Sequence, residues 1–271
     1  MNDKQTKQVP VSQAVRKWLD EQGYPLEMKV AAKLRASTQW QVRQAWHYSD
    51  FESGDSREID IIATLGEPAN KAAVHFAFEC KASKNPWVLF TSDDRVTHIY
   101  WTRAYGIWSR AAWEAFVDEA GEEVPESAQE AEERAGAAGP YVSWTGPNGY
   151  ALAQACKGNS DAPYAAVLSA LKAARSCLGV APHVAEVPAR TVAHPVVVIQ
   201  GPLVECKLDS AGEVVVESIK RGCLYFQQRV ADIMPQYVSI VTFDGLDEFI
   251  AEAKEAADKT HDLFALRFTT K

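Results

Sequence analysis

Two short stretches, "REID" at 57–60 and "FECK" at 78–81, hold the residue types best suited to joint chemistry in this chain. Glu79 and Lys81 stand two apart in an apolar run, so a strand there puts both on one face with Ala77. Phe76, Phe78 and Cys80 then point the other way, toward a core. In the preceding run Glu58 and Asp60 are expected on one face, with Ile59 and Ile61 on the other. A short turn joins the two runs, so they should pair antiparallel and bring Asp60 beside Glu79 and Lys81. Clustered carboxylates repel, and holding them together is favourable mainly when a cation sits between them. A hard divalent ion such as Mg²⁺ takes one or two carboxylates plus waters and phosphate oxygens. An adjacent lysine can orient or help deprotonate an attacking water and stabilise developing charge.

The letters ECK recur at 205–207, in "GPLVECKLDS". There the preceding run, "PVVVIQ", brings no acid. Glu186 is as far upstream of Glu205 as Asp60 is of Glu79, but it lies between prolines, where a strand is disfavoured. Glu205 and Lys207 are therefore expected on the polar face of an exposed hairpin, opposite Val204, Cys206 and Leu208.

The elements that must position Asp60, Glu79 and Lys81 are legible around them. Ser12 can cap a helix over "QAVRKWLDEQ", which Gly23 and Pro25 end, and a second helix runs from Leu26 to about Ser37. Strand-like runs follow at 40–48, 57–65 and 72–82, separated by "SDFESGDS" and "GEPANK", both rich in turn residues. After Trp87 the period becomes helical over "RVTHIYWTRAYGIWSRAAWEAFVDEA", and an acidic Ala/Glu-rich tract comes next. Asp161, Pro163 and Gly179 bracket a further helix. The strand runs "PVVVIQ", "LVECKL", "EVVVES" and "QYVSIVTF" precede a last helix over "LDEFIAEAKEAADK". This order predicts a single α/β domain over 1–271 with a mixed sheet, interrupted by a helical insertion at 88–180 that contains the acidic segment 118–138.

Composition leaves the class of partner open. Of 271 residues, 47% are hydrophobic and 24% charged, ordinary values for a soluble globular protein. The net charge of −8 is unevenly spread: residues 1–110 carry +2, 111–140 carry −8 and 141–271 carry −2. Bulk charge therefore neither supports nor excludes a polyanion. No apolar run approaches a membrane span, and "MNDKQTKQVP" is not of signal-peptide type, so a soluble, cytoplasmic protein is expected. The five cysteines are odd in number and lack CxxC spacing, which fits reduced thiols. The histidines show no HxH or HxxxH spacing, and no glycine-rich phosphate loop or nucleophile elbow occurs.

A helix bearing a glutamate, a strand, a strand with Asp60 and a strand with Glu79-Cys80-Lys81 resemble the PD-(D/E)XK, or restriction-endonuclease-like, nuclease superfamily over roughly residues 10–90. The resemblance implies an α-β-β-β-α-β core with a mixed central sheet flanked by helices. It implies that Asp60, Glu79 and the Cys80 carbonyl bind Mg²⁺, with Mn²⁺ as the alternative ion, and that Lys81 serves the nucleophilic water. Glu27, on a helical face with Val30, Ala31 and Leu34, is the candidate for the family's helix glutamate. No proline precedes Asp60, a departure shared by many members. The activity implied is phosphodiester hydrolysis in DNA, more than in RNA, in restriction, anti-phage defence or repair. A homo-oligomer or a partner protein in a defence complex belongs to the same expectation. The alternative from another class is a catalytically inactive nuclease-fold subunit with a structural or partner-binding role. Glu58 is open between an outer supporting role and a solvated strand position, Lys84 is expected at the surface, and most tryptophans, Trp87 among them, are expected in the core.

Overall fold

The run "AAVHFAFECKA" is apolar on both faces, a pattern that suits a central strand covered on both sides, and it becomes the axis of the sheet. The structure, a computed structural model of the chain, describes residues 10–20, 24–37, 39–67, 72–92, 106–114, 146–156, 161–178, 190–227 and 236–265. Two helices open the described chain, α1 (Val11–Asp20) and α2 (Tyr24–Ala36). Pro25 does not end a helix but sits in the first turn of α2, where its missing N–H costs nothing. The strands β1 (Gln41–Ser49), β2 (Ser56–Glu67) and β3 (Ala72–Ala82) follow as an antiparallel meander.

Helix α3 (Ala162–Cys177) leads to β7 (Arg190–Gln200), which lies parallel to β3 in unbroken register from Ala72↔Arg190 to Ala82↔Gln200. Asp161 holds the N-cap position of α3 without a side-chain capping bond, and Pro163 lies in the first turn. Apart from three strands that intervene between β3 and α3, a helix, three antiparallel strands, a helix and a parallel strand thus surround Asp60 and Glu79. The remaining strands are β4 (Trp87–Ser92), β5 (Ile107–Trp108), β6 (Asn148–Gln154), β8 (Leu203–Leu208), β9 (Val214–Ser218), β10 (Arg221–Phe226) and β11 (Gln236–Thr242). They extend one mixed sheet in the order β1-β2-β3-β7-β11-β10-β6-β4-β8-β9, with β5 beside β7. Helix α4 (Leu246–Ala265) closes the described chain.

The described residues of the segment 88–180, expected as a helical insertion, are in part strands. Among its described residues it supplies most of β4 and all of β5 and β6, as well as α3. Short runs such as "WVLFTS" carry no period long enough to separate strand from helix, and pairing with β6 and β8 decides the outcome. The acidic segment 118–138 lies outside the described residues.

The sheet separates two cores. On one face Ala166, Ala170, Leu171 and Ala174 of α3 pack on Ala77, Val197 and Ile199. The alanines let the helix approach the strands closely. On the other face Leu26, Val30 and Leu34 of α2 and Phe249 and Ala253 of α4 pack on Phe76, Phe78, Val196 and Val198. Trp87 is fully buried, as expected for it. Among the described residues all five cysteines are free and no helix is long and apolar enough to cross a membrane.

Candidate active site

Glu79 and Lys81 sit near the end of β3, just past the apolar stretch that fixes the strand between two cores. Ala77 belongs to the α3-side core, whereas Phe76, Phe78 and Cys80 belong to the other. Glu79 accordingly emerges on the α3 side. There Ser169 of α3 donates a hydrogen bond to Glu79 Oε2 at 2.8 Å, and Lys81 Nζ lies 2.5 Å from Glu79 Oε1. Glu79 is buried and Lys81 half-exposed. The sequence offers no signal for Ser169, which lies ninety residues further along the chain and meets Glu79 only because α3 packs across β3.

Asp60 arrives by a less regular route. Ile61, Ala63 and Leu65 pack in the α2 and α4-side core, yet Ile59, which shares their parity, packs in the α3-side core. Strand β1 behaves alike, since Val42 packs against one core and Trp46 against the other. Both strands exchange faces at one level, where the ladder passes from Gln44↔Ile61 to Trp46↔Ile59 without pairing Ala45 and Asp60. Ala45 takes φ 50 there, a left-handed conformation that costs a residue with a Cβ roughly 1–2 kcal/mol. The expectation that Ile59 and Ile61 share one face is corrected by this twist.

The β2–β3 ladder stops at Ile61↔Phe78, just before Asp60 would face Glu79. Beyond that point Asp60 Oδ2 accepts a hydrogen bond from the Cys80 backbone N–H at 2.6 Å. The N–H and C=O of one strand residue point to the same edge. The Cys80 carbonyl therefore lies on the edge that Asp60 occupies.

The charges that meet here are unbalanced. Burial, then the Glu79 and Glu27 carboxylates, push Asp60 well above the usual carboxylate range, to about 7, despite the Cys80 N–H bond and Lys81. Glu27 on α2 is raised too, by burial and by Glu58 and Glu79, with Lys81 opposing. Burial works against a charged Lys81, but Glu79 and Asp60 outweigh it and hold the ammonium above its usual range. Three carboxylates and one lysine thus act on one another's charge, a balance that a cation would relieve. Among the described residues no three His, Cys, Asp or Glu side chains are grouped so as to hold a metal ion. Asp60 and Glu79 offer two carboxylates and Cys80 a carbonyl, an all-oxygen set of the kind Mg²⁺ completes with waters.

The other residues singled out in the sequence fall elsewhere. Glu58 is exposed and pairs with His47 at 3.4 Å, while contributing to the field at Glu27. Lys84 is exposed. The second ECK copy departs from its expected place. Glu205 is buried on the side of Leu203 and Lys207 is partly exposed, whereas Leu208, Val214 and Val216 are exposed, so the carboxylate faces inward and these apolar residues outward. Glu205 also has an acidic neighbour after all. Glu217 lies opposite it on β9, and Lys207 bridges them at 2.8 Å and 3.3 Å. The acid comes from the strand that follows rather than the one before.

No family model, no curated protein and no solved structure matches this chain.

Proposed function

We propose that this chain is a metal-dependent nuclease of the PD-(D/E)XK kind, hydrolysing phosphodiester bonds of DNA. The single observation that carries the reading is the meeting of Asp60, Glu79, the Cys80 backbone and Lys81 where β2 and β3 separate. Once β4, β5 and β6, which intervene between β3 and α3, are set aside, the sequence α2, β1, β2, β3, α3, β7 supports it by following the α-β-β-β-α-β order that the resemblance implies.

In this reading Asp60, Glu79 and the Cys80 carbonyl would hold Mg²⁺, or Mn²⁺ in its place. The ion, when bound, would supply positive charge to the scissile phosphate and acidify water. Everything else falls to the chain itself. Lys81 remains protonated beside Glu79, so it acts as a hydrogen-bond donor that orients the attacking water and offsets charge on the phosphate. Glu27, whose carboxyl is raised by burial and by its acidic neighbours, would assist by accepting a proton from that water. Ser169 fixes the rotamer of Glu79 through Oε2.

The test is cleavage of plasmid DNA, single-stranded DNA and RNA with Mg²⁺ or Mn²⁺, by wild type and Lys81→Ala. The reading expects cutting by the wild type that falls at least a hundredfold in the variant, on the scale of a lost general acid–base or charge-stabilising group. If both proteins cut equally, the assigned site is wrong.

One observation favours a second reading, a nuclease-fold subunit without catalysis. Both Glu79 oxygens already carry a hydrogen bond, from Lys81 and from Ser169. Titration calorimetry with Mg²⁺ separates the two. The catalytic reading expects binding that Asp60→Ala abolishes, and the subunit reading expects no binding by either protein.

A further inference from the structure

Most of the described aromatic residues lie within or against the cores, and the N-terminal helices, like Phe51, Tyr150 and Tyr164, depart from that habit. Trp18 on α1 and Tyr24 on α2 are 50% and 53% exposed, with ring centroids 6.1 Å apart and planes tilted by 34°. Met28, one turn after Tyr24, is 61% exposed. Val11 and Val15 continue the stripe toward the start of α1, and both are exposed. An apolar stripe of this kind is normally covered by something.

Charge says what covers it. Helices α1 and α2 together carry five basic residues (Arg16, Lys17, Lys29, Lys33, Arg35) against two acidic ones (Asp20, Glu27), in a chain of net charge −8. Arg16, Lys17 and Lys29 on the same two helices are exposed. Lys33 is taken by Asp247 at 2.5 Å. Exposed rings on a pair of basic helices suit a polyanion whose units carry flat faces, because stacking binds the bases while lysine and arginine bind the phosphates. Position supports the same occupant. Tyr24 and Glu27 are three apart on one helix, hence neighbours on its surface, and Glu27 shares the electrostatic field of Glu79 and Lys81.

We propose that Trp18 and Tyr24 form a stacking platform for bases of a single-stranded stretch of the nucleic-acid substrate, on its way to Glu27 and the site at the end of β3. The inference rests on the nuclease reading and deepens it. It assigns an unpaired strand as the form that the protein engages beside the site.

The experiment is a fluorescence anisotropy titration of a fluorescein-labelled oligothymidylate, and of an abasic oligomer of equal length, in chelator. Wild type is compared with Trp18→Ala, Tyr24→Ala and Trp18→Phe. Each alanine variant should weaken oligothymidylate binding roughly fivefold or more. Trp18→Phe should retain most of the affinity, and the abasic oligomer should bind wild type as weakly as oligothymidylate binds the alanine variants. Circular dichroism checks that the helices persist. Equal affinities for wild type and both alanine variants, or equal binding of the abasic oligomer, overturn the proposal. So does a wild-type dimer in light scattering that Trp18→Ala converts to monomer while DNA affinity is unchanged, because the stripe then belongs to a second copy. Wild type that cuts DNA while failing these tests loses the platform alone. Wild type that neither binds nor cuts any nucleic acid loses the nuclease reading with it.

Discussion

The Asp60 carboxylate takes the Cys80 backbone N–H at 2.6 Å, where the ladder between β2 and β3 has stopped. A side chain thereby does what a strand carbonyl does elsewhere in the sheet. It also ties the two acidic strands together while leaving the Cys80 carbonyl on the same edge.

Replacing Asp60 by Asn keeps the size and an acceptor for that N–H but removes one charge from a crowded group. Without metal, Asp60→Asn should melt at or above the wild-type temperature, since repulsion from Glu79 and Glu27 is relieved. With Mg²⁺ the ordering should reverse, because only the wild type gains stability from the ion. Differential scanning calorimetry with chelator and with excess Mg²⁺ reads both. A variant stabilised by Mg²⁺ as much as wild type would remove Asp60 from the metal set.

Ser169 touches neither substrate nor metal in the proposed mechanism and acts through Glu79. Ser169→Ala should leave the melting temperature within a few degrees of wild type and lower cleavage or Mg²⁺ affinity roughly 10- to 100-fold. Ser169→Thr, which restores a hydroxyl, should recover much of the loss. Matched Mg²⁺ titrations of the three proteins carry the readout that a purely structural role would leave unmoved.

The connection between β1 and β2 is fastened to α3 by charge. Asp50 is fully buried and receives Lys172 Nζ at 2.9 Å and Arg57 Nε at 2.5 Å, while Lys172 also meets Glu52 at 2.5 Å. Burial alone would raise the Asp50 carboxyl, but bonds from Lys172 and the Glu52 N–H, with the Arg57 charge, bring it down to about 2. Lys172→Ala leaves that carboxylate buried without its buried cation, at a cost of roughly 3 kcal/mol. Urea unfolding should show the loss, and the double variant Asp50→Asn/Lys172→Met should regain most of it.

His75 on β3 supplies a pH dependence with a definite sign. Burial, aided by Arg43, depresses its imidazole to about 4, and its Nδ1 lies 2.8 Å from Thr64 Oγ1. Above pH 6.5 the ring is neutral in both folded and unfolded chains, so its contribution is fully present. As pH falls from 6.5 toward 4 the unfolded chain takes up a proton that the folded one refuses, and stability drops by roughly 3 kcal/mol. Below 4 this contribution stops changing. Unfolding free energies measured across that window should slope downward with acid in wild type and flatten by this amount in His75→Gln.

How much of this was legible in the sequence varies by element. The bounds of β1, β2 and β3 followed from turn residues between apolar runs, and the facing of Glu79 and Lys81 followed from strand parity. Asp60 was placed beside them, but not by the route it takes. Alanine has no preference for φ 50, so nothing in "QVRQAWHY" announces the change of face at Ala45. Ser169 escaped notice because helical spacing describes α3 without saying what it crosses. The reversed facing of Glu205 has a similar cause. Strand β8 lies between β4 and β9, and Leu203 rather than Val204 fills the core, a choice that alternation alone leaves symmetric.

The parallel pairing of β3 with β7 also sets an order of events during synthesis. The partner that flanks Glu79 along β3 is Val197, and the hydroxyl that orients its carboxylate is on Ser169. Both lie about a hundred residues downstream. A ribosome that has released only the first four strands has therefore delivered every charge of the candidate site but neither the helix nor the strand that flanks Glu79. Such a pairing, distant in sequence, is a late and slow step of folding. Until α3 and β7 emerge, Glu79 and Lys81 stand on an open sheet edge, and whatever chemistry they perform waits for that pairing.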